Sequence, residues 1–118
     1  MHVLICGSRD FTNYEYMEEA LTVLGDAPLV VIEGCARGAD QLAERWAASH
    51  GILNKHFPPD RTRYGSSAEV KRNQQMLDEG KPDIVVAFPL DTSKGTWDMI
   101  NRAKKAGVKV LVWYYEVK

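Results

Sequence analysis

Five short apolar runs, at 3–6, 29–32, 53–57, 83–88 and 108–113, alternate along the chain with segments of helical spacing. Most are nearly continuous rather than alternating, and three are rich in Val and Ile. That is the pattern of strands covered on both faces in a parallel sheet, which requires crossover helices between consecutive strands. The alternation therefore predicts an α/β fold of the Rossmann-like type: a five-stranded parallel sheet with helices on both faces. At 118 residues, with no linker, repeat or low-complexity tract, residues 1–118 read as a single domain.

The helices carry their own signals. Asn13 is a good N-cap for a first helix with Met17, Ala20, Leu21 and Leu24 on one face and a stop at Gly25. A second helix follows Gly38 and ends at Gly51. A third follows Ser66 and ends at Gly80, and a fourth starts near Thr96 and ends at Gly107. Trp46, Met76, Met99 and Trp113 fall on apolar positions and are assigned to the core. Segment 58–66 contains two prolines and a glycine, so it is expected to be a loop without helix or central strand, one that emerges beside the other strand-to-helix turns and closes one side of a binding pocket.

In open parallel sheets ligands bind outside the carboxyl ends of the strands, so the residues just after each apolar run are the informative ones. They are Gly7, Ser8 and Arg9 after the first run, Gly34, Arg37, Gly38 and Asp40 after the second, and Pro89, Lys94, Gly95 and Thr96 after the fourth. Three of these turns combine glycine with a cation. Such turns suit phosphate groups, because glycine admits a close backbone approach and a helix N-terminus offers unpaired N–H donors. A tight strand-to-helix turn explains any one of the glycines equally well. Asp40 is either a ligand group or a helix-dipole carboxylate, and Arg72 and Asn73 are either site residues or a solvated helix face. Cys35 is either a low-pKa thiolate or a small residue filling a turn. Tyr64, with Arg61 and Arg63, would bring a flat ring and cations from the 58–66 loop.

Composition narrows the partners. The formal net charge is −1, so there is no overall basic field for a nucleic-acid backbone or an anionic membrane. Lys55, Arg61, Arg63, Lys71 and Arg72 could at most form a local patch. No apolar run is long enough to span a membrane, and a reducing cytoplasm suits the two cysteines. His2, His50 and His56 share no spacing suited to a metal or a catalytic triad, so neither metal nor cofactor is expected. A homo-oligomer is compatible with the composition, which does not fix the oligomeric state.

The same turns resemble the SLOG superfamily, the Rossmann-like group that includes the LOG phosphoribohydrolases and the Smf/DprA proteins, and within it the small YspA-like branch. The matching stretches are Ile5-Cys-Gly-Ser-Arg-Asp-Phe11, Val31-Ile-Glu-Gly-Cys-Ala-Arg-Gly-Ala-Asp40, Tyr64-Gly with Lys71-Arg-Asn73, Ala87-Phe-Pro89 and Lys94-Gly-Thr-Trp-Asp-Met99. The resemblance implies a strand order 3-2-1-4-5 and a nucleotide or nucleotide-derived ligand, held by a binding or sensing module. It also implies two alternatives. One is a nucleoside 5′-monophosphate phosphoribohydrolase, with Glu33, Asp40 or Asp98 as acid or base and Arg9 or Arg72 on the phosphate. The other is single-stranded DNA binding, as in the Smf/DprA relatives. The LOG hydrolases carry Gly-Thr-x-x-Glu, and here Met99 stands in the place of that glutamate. Asp98, one residue earlier, points about 100° away on a helix.

Overall fold

The computed structural model describes residues 1–90 and 93–114. The elements run β1 (His2–Gly7), α1 (Tyr14–Leu21), β2 (Val30–Glu33), α2 (Ala39–Ser49), β3 (Leu53–His56), α3 (Arg61–Tyr64), α4 (Ala68–Gly80), β4 (Ile84–Phe88), α5 (Lys94–Lys105) and β5 (Lys109–Val112). The five strands form one sheet in the order β3-β2-β1-β4-β5, every pair parallel. This is the doubly wound arrangement that the apolar runs and the resemblance imply.

Alternate residues of the central strands feed two cores. Val3 and Ile5 of β1 join Ile84, Val86 and Phe88 of β4 beneath α1 and α2, where Met17, Leu21, Ala43 and Trp46 pack. Leu4 and Cys6 join Val85 and Ala87 beneath α4 and α5, where Met76, Leu77, Met99 and Ile100 pack. Trp46, Met76 and Met99 are buried as expected. Trp113 is half-buried, and its indole N–H has no hydrogen-bond partner among the described residues.

Two features differ from the sequence expectations. Segment 58–66 does contain a helical turn, α3, because the two prolines precede it and Asp60 caps it, its side chain accepting from the Arg63 amide at 3.0 Å. Helix α5 starts at Lys94 rather than near Thr96. Helix α4 ends at Gly80 as expected, although Gly80 is not itself the residue that turns the chain. It is the last helical residue, where a β-carbon would sit 3.1 Å from Ile32 Cδ1, and Lys81 takes the left-handed turn with φ 50°. Elsewhere the local signals operate as read: the Asn13 side chain accepts from the Tyr16 amide at 3.0 Å, and Gly25, Gly51 and Gly107 have positive φ.

The strand order reverses between β1 and β4, so the switch-point crevice opens outside Gly7 and Phe88. Among the described residues no helix is long and apolar enough to cross a membrane.

Candidate functional site

The turn after β1 is held by Ser8. Its amide donates to the Phe88 carbonyl at 3.0 Å, and its own carbonyl accepts from the Phe11 and Ala39 amides. Its hydroxyl accepts from the Asp10 amide at 3.0 Å. This brings the start of α2 against the β1 turn so closely that a β-carbon on Gly7 would stand 2.6 Å from that of Ala39. Gly38 has φ 77°, and a β-carbon there would overlap the carbonyl oxygens of Ser8 and Arg9. Both glycines are accounted for by packing within the protein.

In the turn between β2 and α2, the protein's own carboxylates take the place an anion would occupy. Asp40 Oδ2 accepts from the amides of Gly34 at 3.1 Å and Ala36 at 3.2 Å, and Glu33 Oε2 accepts from the Cys35 amide at 3.0 Å. Burial raises the Asp40 pKa to about 6, against the opposing pull of those amides and of Arg72. Cys35 is exposed, in a left-handed conformation with φ 63°. Desolvation and the neighbouring Glu33 carboxylate push its thiol up to about 11. It is therefore not the low-pKa thiolate that a position near a helix start allows.

Helix α4 supplies a polar chain that ties the turns together. Arg72 and Asn73 are buried rather than on a solvated face. Arg72 Nη1 donates to the Gly34 carbonyl, and its Nε donates to Asn73 Oδ1 at 3.1 Å. Asn73 Nδ2 donates to the Gly95 carbonyl at 3.2 Å and to Asp98 Oδ2 at 3.0 Å. The same Asp98 oxygen accepts from Arg102 Nε at 2.8 Å.

Around this chain lies a cleft of about 630 Å³. Of the residues singled out from sequence, Gly7, Ser8, Arg9, Arg37, Asp40, Arg72, Asn73, Lys94, Gly95, Thr96 and Asp98 line it. Gly34 lies buried beneath Arg72, and Gly38 and Pro89 are buried close by. Tyr64 faces elsewhere: with Arg63 and Lys71 it lines a separate cleft of about 980 Å³ beside α3 and α4. The Arg63 guanidinium lies 5.1 Å and the Lys71 ammonium 5.8 Å from the centre of its ring. The part of segment 58–66 turned toward the glycine turns is Pro59 and Arg61, which border a shallow groove with Arg9, Arg37 and Glu69.

Glu69 has no counterpart in the sequence reading. Its Oε1 lies 3.5 Å from Arg9 and also pairs with Arg61. As an acid in the first turn of a helix it carried only a helix-dipole signal. Two further groups come together unexpectedly: His56 Nδ1 lies 2.6 Å from Glu33 Oε1, across the β2–β3 pairing that matches these two residues.

The start of α5 is the open side of the cleft. Ser93, at its N-cap position, makes no side-chain capping bond, and its hydroxyl instead accepts from the Leu90 amide. Lys94 and Gly95 are exposed, and Thr96 is buried. Among the described residues, no atom beyond its own helical turn lies within 4 Å of where a β-carbon on Gly95 would be.

Comparison with known proteins agrees with this arrangement of turns. Residues 1–64 match the model of the YspA, cpYpsA-related SLOG family. The chain belongs to that family. The match covers β1 through α3, and with them the Ser8 and Asp40 side of the cleft. A relative named Gene 61 protein, from Mycobacterium phage D29, is 38% identical over 117 residues, which covers 92% of this chain and 93% of the phage protein. This SLOG chain thus shares most of its length with that relative, the α4 and α5 side of the cleft included.

Proposed function

We propose that this SLOG-family chain binds a phosphorylated nucleoside or a nucleotide-derived ligand, such as an ADP-ribose-like molecule, with a phosphate seated on the first turn of α5. The observation that carries the reading is Gly95. Glycine costs up to about 1 kcal/mol relative to alanine in a helix, and among the described residues no atom beyond its own helical turn requires Gly95 to be small. Gly95 lines the cleft together with Lys94, Thr96 and Ser8. The first amides of a helix have no intrahelical partners and favour an anion. Arg9 and Arg37, both exposed on the rim, supply further cations, and a volume of about 630 Å³ is within the usual range of small-molecule sites.

Binding without hydrolysis fits the commitments of the two groups that catalysis would need. Asp98 is held by Asn73 and Arg102, and Arg72 is buried against Gly34 and Asn73. Thermal denaturation across a panel of nucleoside monophosphates, nucleoside diphosphates and ADP-ribose tests the reading. At 100 times its dissociation constant a ligand adds about 2.7 kcal/mol, a shift of several degrees. Unphosphorylated nucleosides should give much less. A flat response to every phosphorylated compound sinks the proposal, and free base in the same mixtures by chromatography would replace binding with hydrolysis.

A further inference from the structure

At the carboxyl ends of β2 and β3, three side chains of different chemistry converge, none of them lining the cleft. Glu33 ends β2, His56 ends β3 in register with it, and Cys35 follows two residues after Glu33. The Cys35 thiol donates to Glu33 Oε1 over 3.5 Å, and one donor atom from each of the three residues lies within 4.8 Å of the other two. Glu33 is fully buried, whereas Cys35 and His56 are exposed.

A buried carboxylate is costly unless it is paired or holds a cation. Around Glu33, a second buried carboxylate, Asp40, lies close enough to interact electrostatically with it, and the buried cation nearby is Arg72. We infer that Glu33, Cys35 and His56 form a binding site for a zinc-class divalent transition ion, separate from the nucleotide cleft. One sulfur, one imidazole nitrogen and one carboxylate oxygen suit Zn²⁺ or Co²⁺, whereas Mg²⁺ and Ca²⁺ prefer oxygen ligands throughout. Three protein ligands, two of them at the surface, leave the fourth tetrahedral position to water or to an anion, as in zinc sites with an open coordination position.

The geometry needs small adjustments, since the three donor atoms are gathered within 4.8 Å of one another. In a tetrahedral zinc site, ligand atoms stand about 3.3–3.8 Å apart. The sulfur-to-oxygen separation of 3.5 Å already meets this. The 2.6 Å between His56 and Glu33 is a hydrogen bond and must open by about 0.7 Å. His56 ends the edge strand β3 and its side chain is 45% exposed, which leaves room for the ring to turn. On binding, the Cys35 thiol releases its proton to solvent as the sulfur–metal bond forms, the hydrogen between His56 Nδ1 and Glu33 is likewise lost to solvent as the nitrogen–metal bond forms, and the imidazole binds in its neutral form with its one proton on Nε2. The ion's two positive charges then match one thiolate and one carboxylate.

The test uses the purified full chain, stripped with a chelator and titrated with Co²⁺ in the absence of any nucleotide. One equivalent should produce a thiolate-to-cobalt charge-transfer band in the near ultraviolet and the visible bands of tetrahedral cobalt. Cys35→Gly keeps the left-handed turn and removes the sulfur, so it should abolish the charge-transfer band while the fold is retained by circular dichroism. His56→Ala should weaken Zn²⁺ affinity, measured by competition with a chromophoric chelator, by roughly 100-fold, since even second-shell losses cost about 10–100-fold. His50→Ala is the control and should bind as the parent does. Cys6 is buried and cannot provide the thiolate. No stoichiometric binding, or a Cys35→Gly variant that binds like the parent, would show that Glu33 and His56 form a hydrogen-bonded pair and nothing more. Neither result bears on the cleft, because nucleotide binding is measured without the metal.

Discussion

The guanidinium of Arg72 fills the place where a side chain on Gly34 would have to go, and it donates to the carbonyl of that same glycine. The pair joins α4 to the β2–α2 turn, so it sets the shape of one wall of the cleft. Arg72→Ala leaves the Gly34 carbonyl without its buried donor and should cost about 2–4 kcal/mol. Gly34→Ala should cost a similar amount by expelling Arg72. Because both substitutions remove one interaction, the double variant should lose clearly less than the sum of the two. Urea denaturation of the four proteins decides it, and strictly additive losses would mean that the two residues act independently.

Gly95 separates stability from binding. An alanine there meets no neighbour among the described residues beyond its own helical turn, so Gly95→Ala should stabilise the free protein by up to about 1 kcal/mol through helix propensity. Gly95→Asp places a carboxylate in the first turn of α5, where the helix dipole favours it by about 0.3–1 kcal/mol. A phosphate bound at that turn meets the opposite situation: the alanine methyl crowds it and the aspartate repels it. Both variants should therefore melt at or above the parent temperature while losing the thermal shift given by a phosphorylated ligand, Gly95→Asp most completely. Retained ligand shifts in Gly95→Asp would move the phosphate away from α5.

Much of this arrangement is legible in the sequence, for identifiable reasons. Continuous apolar strands such as 84–88 exist because both faces of β4 are covered, and the turn residues follow from where those strands end. The glycines were legible as turns, but their cause was not: Gly7 and Gly38 serve the approach of α2 to the β1 turn, a contact between residues about thirty positions apart. Arg72 and Asn73 look like an ordinary polar helix face, and only the packing of α4 against the Gly34 turn and α5 buries them. Tyr64 shows the opposite limit, since its loop leaves the expected edge of the sheet, yet the α3 turn directs the ring into another cleft. The meeting of His56 with Glu33 depends on β2–β3 register, which no local spacing encodes.

Glu69 sits between Arg9 and Arg61 and offsets two of the cations that border the cleft and its adjoining groove. These pairs are partly exposed, and such pairs contribute at most about 1 kcal/mol. Glu69→Gln should therefore leave stability almost unchanged. It removes a negative charge beside an anion site and releases Arg9 to reach a phosphate, so affinity for a phosphorylated ligand should rise about 2–10-fold at low salt and the gain should shrink as ionic strength increases. Calorimetry at two salt concentrations measures this. Weaker binding by the variant would mean that Glu69 holds Arg9 in its productive position.

Asp40 gives the pH dependence. Its pKa stands at about 6 in the folded chain, raised chiefly by burial and also by Glu33, and lowered by the amides of Ala36 and Gly34 and by Arg72. The unfolded value is near 3.8. Between these two values the folded state binds more protons than the unfolded state, so this group's contribution to stability falls as pH rises from about 4 to about 6 and is level above that. A shift of roughly two units corresponds to about 3 kcal/mol at most. Asn at this position keeps an oxygen able to accept from the Gly34 and Ala36 amides but carries no charge to desolvate. Asp40→Asn should accordingly be close to the parent in stability near pH 4 and more stable by about 1–3 kcal/mol at pH 7. The nearby Cys6 thiol is buried and stays protonated across this range, so it adds no slope of its own. Other carboxylates titrate in both proteins, which makes the difference between the two curves the quantity to read. Urea midpoints at pH 4.5, 5.5, 6.5 and 7.5 supply it, and parallel curves for parent and variant would show that Asp40 titrates alike in the folded and unfolded chains.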